Sequence, residues 1–104
     1  MASTKSYLAF VTEQLSGLED FSYRPMMGEY VFYYGGKVFG GIYDNRFLVK
    51  CTPSARALLP EAPLECPYDG AKEMLLVENI EDRVFLETLV PAVAAELPAP
   101  KKRR

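Results

Sequence analysis

Few side chains in this sequence could carry a reaction. Histidine, the commonest general base, is absent altogether. Cys51 and Cys66 are too few and too widely spaced for a zinc site, which would also draw on histidine. Without a supporting motif they read as free thiols packed as small hydrophobes in a reducing compartment. Glu29 and Asp44 could approach each other as an acid–base pair would, yet each stands beside a turn, where carboxylates are ordinarily solvated. Serine and threonine occur mostly near the N-terminus and at helix starts, where capping accounts for them. The glycine pairs Gly35-Gly36 and Gly40-Gly41 do not open a helix or lead into Lys-Ser/Thr, so they form no phosphate loop. No catalytic, cofactor-binding or metal-binding residue is expected.

What those residues need positioned is a β-rich centre, residues 24 to 50, which holds most of the aromatics and glycines. Strands are predicted over Tyr23–Met26, Glu29–Tyr34, Lys37–Tyr43 and Arg46–Cys51, joined by turns at Gly28, Gly35-Gly36 and Asp44-Asn45. Pro25 cannot donate to a ladder and places the first strand at an edge or bulge. In the second, Val31 and Tyr33 face one side, while Tyr30, Phe32 and Tyr34 face the other. In the fourth, Phe47, Val49 and Cys51 alternate with Arg46, Leu48 and Lys50, as in a strand with one covered face. Gly40-Gly41 falls mid-strand, where glycine marks close approach of another group; a neighbouring aromatic or helix is the expected one.

Helices flank this meander. An amphipathic helix over residues 3–16 carries Tyr7, Phe10, Val11 and Leu15 on one face, capped by Ser3 or Thr4. Thr52-Pro53 opens a short helix that ends near Leu59, because threonine caps and proline suits the first helical position. Prolines then enforce a loop to Gly70, with a brief extended piece around Leu64. A strand over Glu73–Val77 precedes a last helix from Ile80 to Leu97, capped by Asn79. Pro91 should kink that helix or open a second one.

Charge is uneven. Lys101, Lys102, Arg103 and Arg104 close the chain; without them eight basic residues face fourteen acidic ones, 8 − 14 = −6. A body that acidic suits phosphate backbones poorly, so nucleic-acid contact would fall to the tail, residues 98–104, expected to be disordered. The aromatics Tyr30, Phe32, Tyr34, Phe39, Tyr43 and Phe47 could form a base-stacking platform, but no RNP-type signature accompanies them. Core packing and a subunit interface explain them better, because both faces of the strand Tyr30–Tyr34 are large and apolar. The 104 residues make one domain. Neither a membrane span nor a signal-peptide core is visible, which implies a cytoplasmic protein.

Arg24-Pro-Met-Met-Gly28-Glu29-Tyr30, then Gly36-Lys37-Val-Phe-Gly-Gly-Ile-Tyr43 and Arg46-Phe-Leu-Val-Lys50, resemble the N-terminal domain of the TfoX/Sxy family. Tyr68-Asp-Gly-Ala-Lys-Glu-Met-Leu-Leu76 and the closing helix are similar too, so the likeness runs from about residue 4 to 97. Met27 stands where that pattern usually has Phe, and the family's helical C-terminal domain has no counterpart in these 104 residues. The resemblance implies an α+β two-layer sandwich, in the order α-β-β-β-β-α-β-α, like that of secretion chaperones. It also implies a homodimeric, non-catalytic interaction domain linked to competence or transcription regulation, with an unknown protein partner and no cofactor. The residues expected to make the interaction are Arg24, Met26, Met27, Gly28, Glu29, Tyr30, Phe32, Tyr34, Gly40 and Gly41. Direct nucleic-acid binding by the basic tail is one alternative. A small-ligand or enzymatic site around Gly28, Glu29 and Gly40 is the other.

Overall fold

A computed structural model describes residues 3–68 and 70–97. Its elements run α1 (Lys5–Gln14), β1 (Phe21–Met26), β2 (Glu29–Tyr34), β3 (Lys37–Ile42), β4 (Phe47–Val49), α2 (Pro53–Leu58), β5 (Leu64–Glu65), β6 (Met74–Leu76) and α3 (Arg83–Ala95). The strands form one antiparallel sheet in the order β1-β2-β3-β4-β6-β5. The α+β two-layer arrangement expected from the sequence is what the chain adopts. The extended piece around Leu64 is a sixth strand, paired with β6.

Three tight turns hold the meander in register. Met27-Gly28, Gly35-Gly36 and Asp44-Asn45 all have positive φ, the backbone of two-residue hairpins whose twist matches that of the strands. Between β2 and β3 the register slips at Phe32/Tyr33, so that Phe39 is an extra residue between Val38 and Gly40. The bulge turns Phe39 inward against Phe32 and Phe47. Its carbonyl accepts from Lys50 N at 2.8 Å.

One sheet face is covered by all three helices. Phe32, Ile42, Phe47, Val49 and Leu75 meet Val11 and Leu15 of α1, Ala55 of α2 and the Leu86, Leu89, Val90 and Val93 stripe of α3. Leu48 points the other way and is fully buried with Tyr43, Met74 and Leu76. The expectation of one covered face in β4 is therefore corrected: all three of its residues are buried. Tyr68 explains part of the cover, since its ring lies 6.1 Å from that of Tyr43.

The last helix begins later than its sequence suggests. Asp82, not Asn79, is the cap, accepting from Phe85 N at 3.1 Å, while the Asn79 carbonyl accepts from Asp82 N to close a preceding turn. Pro91 lies inside α3 without dividing it. Its lost hydrogen bond costs about 3 kcal/mol. Buried Leu86, Leu89 and Val90 before it and Val93 after it offset that, at roughly 1.5–3 kcal/mol each. The cysteines are corrected as well. Both are exposed, because each sits outside the strands and helices at the sheet's margin rather than under a helix.

Helices α2 and α3 are pinned end to end. Glu96, just past α3, accepts from Ser54 Oγ at 2.7 Å and Ser54 N at 2.8 Å in the first turn of α2. Those bonds, the hydroxyl's foremost, hold its carboxyl below the ordinary value of 4.5. A depressed folded-state pKa means this stabilisation is present above 4.5 and is lost as pH falls through the lower folded value. Glu96→Gln should therefore flatten the acid side of a urea-midpoint-against-pH curve and leave the neutral side little changed. Truncating Phe32, which is fully buried, to Ala should destabilise the fold by about 3–5 kcal/mol in urea denaturation.

Candidate functional site

The segment Met26-Met27-Gly28-Glu29 is the β1–β2 hairpin turn, with Met27 at its tip, 96% exposed. Glu29 opens β2, and its carboxylate is fully engaged. Oε1 accepts from Ser3 Oγ at 2.6 Å and Ser3 N at 3.0 Å, and Oε2 accepts from Asp44 N at 3.0 Å. Ser3 Oγ in turn accepts from Asn45 N at 2.9 Å, and Asn45 Oδ1 accepts from Thr4 N at 2.9 Å. Thr4 caps α1 by accepting from Tyr7 N. One carboxylate thus ties together the start of α1, the first residue of β2 and the β3–β4 turn. It accepts from Asp44 N, and Ser3 Oγ from Asn45 N, turn donors that a two-residue hairpin leaves without ladder partners. Glu29 and Asp44 do meet, but through a backbone N–H, so the contact is a structural tie and not a carboxyl pair.

Gly40 and Gly41 are buried, and neighbouring strands fill the space a ligand would need. A Cβ on Gly40 would strike Leu48 O and lie 2.9 Å from Val49 Cα, and one on Gly41 would lie 2.5 Å from Tyr30 O and 2.9 Å from the Tyr43 ring. For Gly41 the group packed close by is an aromatic, as expected; for Gly40 it is the β4 backbone. Phe32, fully buried, and half-buried Tyr30 and Tyr34 face the helices. Placing Phe32 on an interaction surface is corrected: the helices cover that face, with Tyr30 and Tyr34 packed at its core, and the outward one carries Val31 and Tyr33.

On that outward face the sheet, Pro67-Tyr68 and Ala71-Lys72-Glu73 border a cleft of ≈ 620 Å³. Val31, Tyr43 and Met74 form buried parts of its lining, Tyr33 and Val38 half-exposed ones, and Met26 stands at its margin. Arg24 shares the face, its guanidinium 6.0 Å from the Tyr33 ring centroid. Burial, with Tyr68, Glu29 and Tyr33 nearby, raises the Tyr43 phenol above its ordinary 10.0 and keeps it neutral. Lys50, Cys51 and Lys72 also line the cleft. Of the ten interaction residues singled out from sequence, only Arg24 and Met26 border this face. Alternation in β2 pointed to Val31 and Tyr33; no local pattern signals the lysines. The tail residues Lys101, Lys102, Arg103 and Arg104 lie outside the described residues.

The sheet edges are poor docking strands. In a two-residue hairpin the flanking pair, Met26 and Glu29, exchanges both bonds, so Phe21, Tyr23 and Pro25 direct their main-chain groups at the free edge. Pro25 has no N–H and Phe21 N bonds Leu18 O at 3.3 Å, which leaves Tyr23 as the outward donor of β1. The opposite edge, β5, is two residues long.

A family profile for the TfoX N-terminal domain matches residues 13–84. The chain belongs to that family. An uncharacterized 12.7 kDa protein from the trpE 5′ region of Spirochaeta aurantia is 36% identical over 105 residues, covering 100% of this chain and 91% of its own length. No solved structure matches. The profile spans the whole meander of this TfoX-type domain, including the hairpin turn, Glu29 and Asp44, while Ser3 and Thr4 lie before the matched residues.

Removing that tie should loosen the meander. Glu29→Ala should cost about 2–3 kcal/mol in denaturant titration, since hydrogen bonds to a charged group carry roughly 1.5–3 kcal/mol. Amide exchange at Asp44 and Asn45 should accelerate together with that at Tyr7, whereas Glu61→Ala, on an exposed loop, should change neither.

Proposed function

We propose that this TfoX-type domain is a non-catalytic regulatory module that works by protein contact through the open face of its sheet. The observation that carries the reading is the outward side of β2 and β3, where Tyr33 and Val38 stay half-exposed while three helices cover the opposite side. Apolar surface grouped in this way favours a partner. Blunted edges steer contact to the face rather than to strand addition. The absence of histidine, with Glu29 engaged by three internal donors, supports a non-catalytic role.

A homodimer through Met26, Tyr33 and Val38 is the form we propose for this contact, and regulation of competence genes the setting that the family suggests. No helix among the described residues is long and apolar enough to cross a membrane. Binding of nucleic acid by Lys101 to Arg104 is the second reading, favoured by four consecutive cations. It requires affinity that falls steeply with salt.

Light scattering after size exclusion tests the first reading. A dimer is expected, and Tyr33→Glu with Val38→Glu should convert it to a folded monomer by placing charges in an apolar contact. A strict monomer for the unaltered chain from micromolar to millimolar concentration would remove the dimer.

A further inference from the structure

The described residues that line the cleft reverse the charge balance of the chain. Outside the closing four residues the sequence carries eight cations and fourteen anions. Yet Lys50 and Lys72 line the cleft, Arg24 lies over its Tyr33, and Arg56 Nη1 donates to the Sγ of cleft-lining Cys51 at 2.9 Å. Half of the eight cations therefore gather here. Among the described lining residues, Glu73 is the only carboxylate. Neither Lys50 nor Lys72 is paired with a carboxylate among the described residues.

The geometry points to a binding site for a small amphipathic carboxylate, an apolar chain or ring with one anionic end. The volume, ≈ 620 Å³, lies in the range of small-molecule sites, about 300–1,000 Å³. Val31, Pro67, Ala71 and Met74 offer the apolar end a surface to cover, which no inorganic anion would use. Lys50 and Lys72 offer the anionic end charge-assisted hydrogen bonds, which no neutral apolar molecule would use. A second copy set by a two-fold axis directly over the lysines would oppose like charges, because such an interface meets itself. The lysine-lined half of the cleft, away from the Met26 margin, is therefore assigned to the ligand. This site goes beyond the dimer reading, and each can fail without the other.

Exposed Cys51 supplies the readout, with decanoate as the probe and decanol as its neutral counterpart. In Cys66→Ser, which leaves one thiol, decanoate below its micellar concentration should slow iodoacetamide alkylation of Cys51 by about fivefold or more, as occlusion of a lined cleft requires. Lys50→Gln with Lys72→Gln should raise the half-protecting concentration by about tenfold or more, the equivalent of about 1.4 kcal/mol. Lys5→Gln, on α1, should leave it unchanged. Equal protection by decanol, protection surviving loss of both lysines, or none at all would overturn the site. So would alkylation that slows with protein concentration alone, which would give the whole cleft to a second copy.

Discussion

The rest of the structure depends on the carboxylate of Glu29. It stands at the first residue of β2 and receives Ser3 from the start of α1 and Asp44 from the β3–β4 turn. A two-residue turn built from Asp44 and Asn45 requires positive φ at two residues that carry side chains, a conformation that L residues resist. The donors turned outward by that geometry find Glu29 and Ser3 in place of water, and Asn45 returns an acceptor to Thr4. Helix, hairpin and turn are thereby coupled. The mutual arrangement of α1 and the meander comes from a polar knot at the rim, as well as from the aromatic core beneath.

That coupling decides which face of the sheet is left open. With α1 tied to the β3–β4 turn and α3 joined to α2 through Glu96, all three helices lie on the side of Phe32, Phe39 and Phe47. The bulge at Phe39 adds a third large ring to that side, and Gly40 admits the β4 backbone so closely that no side chain fits between. The sheet can then afford only a loop on its other face. Tyr68 closes over Tyr43 on that side, while Tyr33 and Val38 stay half-exposed. An apolar surface rimmed by cations is the consequence, on a chain whose remaining surface is acidic.

Much of this was legible locally. Gly35-Gly36 and Asp44-Asn45 announced their turns, Thr52-Pro53 its helix start, and the alternation in Glu29–Tyr34 separated Val31 and Tyr33 from Phe32. Other features were not. Asn79 and Asp82 are both good caps, and the choice between them depends on where α3 begins to pack, with Gln14 of α1 already holding the Ile80 carbonyl. The same limit applies to Phe32. Alternation assigns it a face but cannot say which face the helices will take, and they take the one that buries it fully.

Sequence by itself determined the element types, the turn chemistry and the family, because propensity, capping and positive-φ preferences act over a few residues. Tertiary structure alone decided what Glu29 does, which face stays open, and that Lys50, Cys51 and Lys72 meet across a gap of more than twenty positions. Those outcomes depend on contacts between segments far apart in the chain, and a local pattern contains no information about which of its two sides another segment will cover.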